Sequence, residues 1–393
     1  MEFRIGRIQN GCQVKQIKMS YQSLTTWLLF LFILDTGGWI GLRPVVIALL
    51  ILISVIRFKP TANLKPIFAW VALIILMTPS IFAGESAGVS LSDAMPFIYP
   101  ILVFPFFYFI AVYAKITSDH FISAGVLFSV FTSILFIGSQ IGVASIVKLL
   151  DYISNNPDAG FFAVKDNFTG MAVQNVYLKA TLLLVPLGVL AAGKKRWLAF
   201  LLILLALIIA QSKTGIFSLV FFSILAVNKK TGFSVSTLLT SFISIAIFAV
   251  LIITTELFDE LATGLTVRIL HISSIYEVEI NSWSNFFTGF GAGSSFYSYG
   301  FGDYTVDSEV SQLEILRRYG IFFLVALCIF FYIAYNKMVR KGEKPWAISL
   351  LSYFVVCASN PVLLASSAAI YYAVMAANLG SLSKTNLDVQ KSS

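Results

Sequence analysis

Apolar runs dominate this chain, and short polar segments separate them. The runs are about 15–22 residues long, close to what a helix needs to cross a ~30 Å hydrocarbon layer. They lack the period-2 alternation of barrel strands, and backbone groups in lipid must be satisfied within the segment, so the pattern predicts helices. We therefore predict an all-α, polytopic integral membrane protein with about twelve transmembrane helices, forming a single membrane domain over residues 1–393.

The predicted spans, in chain order, cover residues 22–39, 43–57, 66–83, 97–115, 121–147, 174–192, 196–211, 213–228, 234–255, 315–336, 345–359 and 361–380. No small-residue cleavage site follows the first apolar run, so we expect an uncleaved first helix. Two longer polar segments interrupt the pattern, at 148–175 and at 256–314. The second is the larger of the two and carries most of the side chains suited to catalysis.

Composition supports the membrane assignment. With 58% hydrophobic and 12% charged residues and a mean hydropathy of +0.87, the chain is too apolar for a soluble globule. The net charge of +8 comes without a basic patch interleaved with aromatic residues, so we expect no nucleic-acid partner. Cys12, Cys328 and Cys357 lie far apart and indicate neither a disulfide framework nor a metal site. No P-loop or metal-ligand spacing occurs, so we expect no metal and no cofactor.

The distribution of basic residues predicts the orientation. If the N-terminus lies in the cytoplasm and the spans alternate, most of the 27 basic residues fall in short cytoplasmic segments. This agrees with the positive-inside rule, and an even number of spans also places the C-terminus in the cytoplasm. Both long polar segments then face outward, as extracytoplasmic loops. No ATP is present on that side of a membrane, so a substrate that reacts there must arrive already activated.

The larger loop contains one arginine among acids. Arg268 lies between Glu256, Asp259 and Glu260 on one side and Glu277 and Glu279 on the other. A surface ion pair and a phosphate-binding cation are both consistent with this setting. His271 follows three residues later and would share a helical face with Arg268. It is either a structural histidine or a catalytic one.

A glycine-rich turn follows, with Gly289, Gly291 and Gly293 in alternate positions. It fails the GxGxxG pattern at the last position and has no βαβ setting, so it is not a dinucleotide site. One interpretation is a turn that reverses the loop, since glycine tolerates positive φ. The alternative is a backbone cradle for phosphate.

Two lysines lie at the ends of predicted spans. Lys213 lies at the predicted outer junction of the seventh and eighth spans, and it is either a snorkelling lysine or a cation for a lipid-linked phosphate. Lys179 lies about one turn inside the sixth predicted span, where an unpaired charge costs a few kcal/mol. We therefore expect Lys179 to face protein or water.

A helix start is predicted at the end of the larger loop. Asp307 or Ser308 can cap it, and Ser311-x-x-Glu314 resembles a capping box. Glu314 also precedes Arg318 by four residues, the favourable order for an intrahelical ion pair.

The same helix would place Glu309 and Arg317 on one face, since they are eight residues apart, or about 12 Å along the axis. The carboxylate would then point toward the loop and suit an acceptor hydroxyl. The guanidinium would point toward the membrane surface and suit a phosphate.

These residues carry a family resemblance. The order of Arg268, the glycine-rich turn 288–293, the acids 307–309 and the segment 313–321 resembles the Wzy-type bacterial polysaccharide polymerases. These belong to the O-antigen ligase and polymerase superfamily. The segment 212–215 resembles the Ser-Arg-Thr signature of that superfamily, with lysine in place of arginine. The resemblance covers roughly residues 205–380.

The resemblance implies a metal-independent glycosyltransferase of the GT-C type in a bacterial inner membrane. Such enzymes transfer a growing glycan from one undecaprenyl pyrophosphate carrier to the repeat unit on another. Cations must neutralise the departing pyrophosphate, and a carboxylate must accept the acceptor hydroxyl's proton. A chain-length regulator protein is a further partner that the resemblance raises, besides the lipid-linked oligosaccharide and membrane lipid.

We therefore hypothesise that one group of residues binds substrate and a second group catalyses. The binding group consists of Arg268, Lys213, Arg317, Arg318, Gly291 and Gly293. The catalytic group consists of Glu309 as base, Asp307 as second choice, and His271. Two other functions remain open: a secondary transporter or flippase of lipid-linked oligosaccharide, and a ligase that transfers the finished glycan to a different acceptor.

Overall fold

A computed structural model of the chain describes residues 21–57, 63–156, 159–166, 172–228, 257–280, 283–308, 310–359 and 362–391. Its first seven helices are α1 (Tyr21–Leu34), α2 (Arg43–Ile56), α3 (Lys65–Ser86), α4 (Leu91–Leu102), α5 (Phe104–Tyr113), α6 (Ser118–Gln140) and α7 (Ala144–Ser154). They are followed by α8 (Leu184–Gly193), α9 (Trp197–Ile209), α10 (Lys213–Val227), α11 (Leu257–Ile280), α12 (Trp283–Thr288), α13 (Ser311–Arg340), α14 (Lys344–Val356) and α15 (Ser366–Lys391).

Four helical segments of the described chain are long and apolar enough to cross a membrane. They are α3, α4 with α5, α6, and α13, and each contains an apolar window of 18 residues. Shorter apolar helices, among them α9 and α10, accompany them. A mostly helical membrane protein is therefore confirmed, whereas the number of spans stays a prediction. The predicted ninth span, 234–255, lies outside the described residues.

The centre of the bundle is the short helix α8. Every residue from Leu184 to Ala192 is buried, and α6, α9, α10 and α14 pack around it. A helix that is apolar on all sides is stable only when protein or lipid surrounds it completely. The hydroxyl of Ser349 on α14 donates to the carbonyl of Pro186, 2.8 Å away. That bond ties α14 to the first turn of α8.

The predicted sixth span, 174–192, is corrected by the structure. A strand, β2 (Ala172–Leu178), and a turn of 3-10 helix (Thr181–Leu183) precede α8, which has only ten residues. Lys179 therefore follows a strand and is exposed, so its predicted place inside a transmembrane helix is wrong. The β-branched and aromatic residues of 172–178 favour a strand, a preference hidden by their high apolar content.

Two further spans have different ends from those predicted. The fourth begins earlier than expected, at Leu91, and is divided at Val103 into α4 and α5. The fifth ends at Gln140, where Gly142 adopts a φ of 72° and the chain turns into α7. In contrast, the predicted seventh and eighth spans agree closely with α9 and α10.

The fold is not purely helical, because two β-hairpins lie in the polar segments. β1 (Gly160–Asp166) pairs with β2 in the antiparallel sense, and β3 (Phe296–Ser298) pairs likewise with β4 (Asp303–Thr305). The first lies in the smaller predicted loop and the second in the larger one. The larger loop therefore has structure of its own, consisting of α11, α12 and the second hairpin.

Segments predicted on one side of the membrane contact each other. Among the predicted cytoplasmic segments, Arg57 donates to the carbonyl of Ala114 at 3.1 Å, and Lys344 donates to that of Asn228 at 2.7 Å. Among the predicted outer segments, Arg43 donates to the hydroxyl of Ser366 at 2.7 Å. These contacts are consistent with the predicted alternation. Which end faces the cytoplasm stays a prediction.

Candidate functional site

The site begins with a break in helix α13. Gly320 has φ 78° and ψ 175°, which no helical residue adopts. It interrupts the hydrogen-bond ladder of α13 directly before the apolar run that begins at Ile321. The neighbouring carbonyls bond elsewhere: that of Arg317 accepts from the amide of Phe290 at 2.6 Å. That of Arg318 accepts from the hydroxyl of Ser80 at 2.5 Å. The break thus fixes the glycine-rich turn and α3 against the arginine pair.

The glycine-rich turn packs backbone against backbone. Gly291 has a φ of 123°, and a Cβ built there would lie 2.5 Å from the Cα of Gly84 on α3. Gly293 is likewise buried and adopts a φ of 80°. The amides of Phe290, Ala292 and Ser294 all donate to protein carbonyls. The contacts therefore favour the turn interpretation over a phosphate cradle.

Replacing Gly320 with alanine is expected to lower the free energy of unfolding by more than about 3 kcal/mol. The new Cβ would overlap the carbonyl oxygen of Phe287 in addition to forcing an L-residue into a glycine conformation. SDS titration of the purified protein in mixed micelles measures the loss. Gly342→Ala is the matched control, because Gly342 has a φ of 77° with open space around it. Equal losses in the two variants would show that φ alone, and not the overlap, determines the effect.

Arg317 is a buried structural cation. Its side chain is 0% exposed and forms an ion pair with Glu314. It also donates to the carbonyl of Ser294 at 2.9 Å and to that of Val306 at 2.9 Å, and its guanidinium lies 4.5 Å from the ring centroid of Phe296. With these donors used inside the protein, Arg317 does not lie where a lipid-linked phosphate could reach it.

Arg318 is less enclosed and pairs with two carboxylates. Its Nε lies 2.6 Å from Glu314, and Nη2 forms an ion pair with Asp307. The guanidinium also stacks over Phe97 at 3.8 Å from the ring centroid. The predicted Glu314–Arg318 pair is therefore confirmed. Asp307 has a half-exposed side chain, whereas that of Glu314 is buried.

The predicted cap of this helix is wrong. The N-cap is Val310, without a side-chain hydrogen bond, because Asp307 pairs with Arg318 instead. Ser311 accepts from the amide of Leu363 at 3.2 Å, so it holds the segment before α15 and does not close a capping box. The helix begins at residue 311, and the predicted shared face of Glu309 and Arg317 stays a prediction. Glu309 itself lies outside the described residues.

A cavity of about 640 Å³ opens beside Arg318. Its lining includes three cations, Arg43, Lys179 and Arg318, and two acids, Asp307 and Glu314. The rest of the lining combines apolar side chains with neutral polar and aromatic groups, the latter including Thr36, Ser92, Tyr99, Ser311, Tyr319 and Ser366. These residues come from five separate stretches of the chain, and each stretch lies at a predicted outer end. The cavity lies between the ends of apolar helices, and its charged groups are set in a mainly apolar lining.

Arg43 was not singled out in the sequence. Asp35, which is fully buried, positions it by accepting from the amide of Ile40 at 2.7 Å and from that of Arg43 at 2.9 Å. The guanidinium lies 5.0 Å from the ring centroid of Phe32 and donates to Ser366. The charge distribution contained the signal, because basic residues are rare in the predicted outer segments. Arg43 opens the second predicted span at its outer end, so it is one of these rare cations.

Three predicted site residues lie away from the cavity. Arg268 and His271 are on α11, and Lys213 is the first residue of α10; none of the three lines the cavity. His271 is fully buried, and its Nδ1 shares a 2.8 Å hydrogen bond with the hydroxyl of Ser298. Its ring meets Phe301 edge-on at 4.5 Å. This placement fits the structural interpretation of His271.

The second hairpin is held on α11 by polar contacts. Tyr299 donates from its amide to Ser274 at 2.8 Å and from its hydroxyl to Glu277 at 2.6 Å. The hydrogen bond to the Glu277 carboxylate raises the pKa of the Tyr299 hydroxyl, because that bond requires the protonated form. The hairpin is therefore fixed to the helix that carries Arg268.

A scan of the chain against protein-family models finds no match, and a search of curated proteins finds none either.

Proposed function

We propose that this protein polymerises undecaprenyl-pyrophosphate-linked oligosaccharide repeat units into a surface polysaccharide. The reaction is glycosyl transfer without a metal, on the extracytoplasmic face of a bacterial plasma membrane. The observation that carries the proposal is the cavity, which brings three cations and an accessible carboxylate together between helix ends. The order of the polar motifs along the chain and the predicted orientation support it further.

The cations of the cavity suit a pyrophosphate leaving group. Arg43 offers a planar donor pair that suits bidentate binding of phosphate oxygens, whereas Arg318, already paired with Asp307 and Glu314, and Lys179 add positive charge. Charge develops on the bridging oxygen as the bond to the anomeric carbon breaks, and cations fixed near that oxygen stabilise the charge. The apolar helices around the cavity would accommodate the carrier's polyprenyl tail.

The acceptor hydroxyl must lose a proton as its oxygen bonds to the anomeric carbon. Asp307 is the described carboxylate best placed to take it, since it lines the cavity and its side chain is 50% exposed. Glu309, two residues further on, remains the first choice from the sequence. In either case the proton moves to a carboxylate, and the carrier leaves as its pyrophosphate.

Reconstitution with lipid-linked repeat units tests the function. Purified protein in nanodiscs is incubated with these units, and the products are separated by size. A ladder of polymer supports the proposal. Transfer to a different acceptor identifies a ligase, and unchanged substrate that crosses a proteoliposome membrane identifies a flippase.

Lys179→Ala tests the cavity against the alternative site at Arg268. We expect the substitution to lower the polymerisation rate by about 10–100-fold, because one phosphate contact is lost, and thermal unfolding verifies that the variant is folded. Lys148→Ala is the matched control, since Lys148 is an exposed lysine of a predicted outer segment that does not line the cavity.

Arg268→Ala completes the comparison. Loss of polymer in Arg268→Ala with a wild-type rate in Lys179→Ala would place the phosphates at α11 and contradict the cavity assignment. Loss of polymer in both variants would mean that the substrate contacts both Lys179 and Arg268.

A further inference from the structure

The second hairpin has two chemically different faces. Phe296 and Ser298 point inward, where they contact Arg317 and His271. Tyr297 points outward, and its cross-strand partner is Tyr304. Directly opposed residues share a face of a hairpin, and Tyr299, the turn residue after β3, joins this pair because its ring lies 5.7 Å from that of Tyr297. We call the outer face, made of Tyr297, Tyr299 and Tyr304, the tyrosine platform.

The rings of the platform are exposed and yet held in place. They are 43%, 44% and 70% exposed, in chain order. Tyr297 meets Tyr299 edge-on at 5.7 Å and Tyr304 at 5.5 Å. The hydroxyl of Tyr297 donates to the carbonyl of Gly302, and that of Tyr299 donates to Glu277. Such rings lose little conformational freedom when a ligand binds, so the surface is preorganised.

The platform is joined rigidly to the cavity. Arg317 donates to Ser294, two residues before β3, and to Val306, the residue after β4, so one buried guanidinium holds both ends of the hairpin. Arg318 donates to the same Val306 carbonyl at 2.8 Å. Asp307, the next residue, lines the cavity. A ligand that fills the cavity and extends outward along this connection would reach the platform.

We propose that the tyrosine platform binds pyranose rings of an uncharged stretch of oligosaccharide. The C–H faces of a pyranose are apolar and pack flat on an aromatic ring, while its hydroxyls reach phenol and carboxylate groups around the edge. This inference rests on the proposed function and deepens it. The phosphates of the substrate occupy the cavity, and its glycan lies on the hairpin.

The surroundings of the platform favour a sugar over a lipid surface. Asp303 is the sole charged residue of segment 296–305, it is exposed, and with Glu277 it places negative charge beside the rings. Anionic headgroups would be repelled by these carboxylates, whereas sugar hydroxyls donate to them. Tyrosines that only anchor a protein at the membrane–water interface need no fixed ring geometry, whereas the rings of the tyrosine platform have one.

Binding of free oligosaccharide by the full-length protein tests the platform. The probe is the oligosaccharide that mild acid releases from the lipid-linked glycans of the native cells, labelled with a fluorophore. We expect the double variant Tyr297→Ala/Tyr304→Ala to bind it at least about tenfold more weakly. The variant Tyr297→Phe/Tyr304→Phe, which keeps the rings, should stay within about threefold of wild type.

Tyr332→Ala is the matched control, because Tyr332 on α13 is 68% exposed and does not belong to the platform. Thermal unfolding verifies that every variant is folded. Affinity that stays within about twofold of wild type in the double alanine variant would overturn the platform, as would an equal loss in Tyr332→Ala. If the wild-type protein makes no polymer, but the double alanine variant binds the probe more weakly than the wild type does, the tyrosine platform is supported and the proposed polymerase function is rejected.

Discussion

Replacing Glu314 with alanine is expected to lower the free energy of unfolding by about 3–5 kcal/mol. The carboxylate is almost fully buried and contacts two guanidiniums, those of Arg317 and Arg318. Arg317 is 0% exposed, so water cannot replace the lost partner. An uncompensated buried charge costs more than the pair contributed. SDS-induced unfolding of the purified variant measures it.

Asp307→Ala provides the comparison. Asp307 pairs with the same Arg318, but its own side chain is 50% exposed, and Arg318 keeps Glu314 as an ion-pair partner after Asp307 is removed. Its removal should lower stability by about 1 kcal/mol or less. If Glu314→Ala and Asp307→Ala lower the free energy of unfolding equally, burial does not determine how much each carboxylate contributes to stability. The structural role assigned to Glu314 is then wrong.

Replacing Arg43 with alanine is expected to reduce polymerisation by about 100-fold or more. Arg43 lines the cavity together with Arg318, and the latter is already engaged by Asp307 and Glu314. Arg43 is therefore the arginine of the cavity with the most capacity left for an anion. The rate of polymer formation from lipid-linked repeat units, measured in nanodiscs, gives the loss.

The conservative variant Arg43→Lys separates charge from geometry. A lysine keeps a cation but lacks the planar donor pair, so we expect partial recovery of the rate. Ser366→Ala removes the neutral partner of Arg43 and should cost less than about tenfold. A rate in Arg43→Ala equal to that of wild type would exclude a role in phosphate binding. If Arg43→Ala lowers the unfolding midpoint and leaves the polymerisation rate unchanged, Arg43 has a structural role.

The arginine pair illustrates how adjacent residues separate in function. Arg317 and Arg318 follow each other in the chain, so they project from α13 in different directions. One is enclosed by the hairpin and connects its two ends, and the other lines the cavity. The family resemblance offered either arginine as a phosphate-binding residue. The packing of residues 294–306 around Arg317 favours a structural role for Arg317.

The Glu314–Arg318 pair and the helices α9 and α10 could be predicted because they depend on local spacing and on runs of apolar residues. The hairpin 296–305 could have been found from its alternating pattern, in which Tyr297 and Tyr299 flank Ser298. That pattern is only a few residues long, too short to distinguish a strand from a loop by sequence alone.

By itself, the sequence determined that the chain forms apolar helices, because hydrophobic runs in lipid must satisfy their own backbone. It also determined where charge is rare, and so where each charged residue needs an explanation. Only the tertiary structure decided which of these charges meet. The cavity combines residues 36–43, 92–100, 179, 307–319 and 362–366, which are distant in sequence. Such contacts depend on how helix ends pack against one another, and no local pattern encodes that packing.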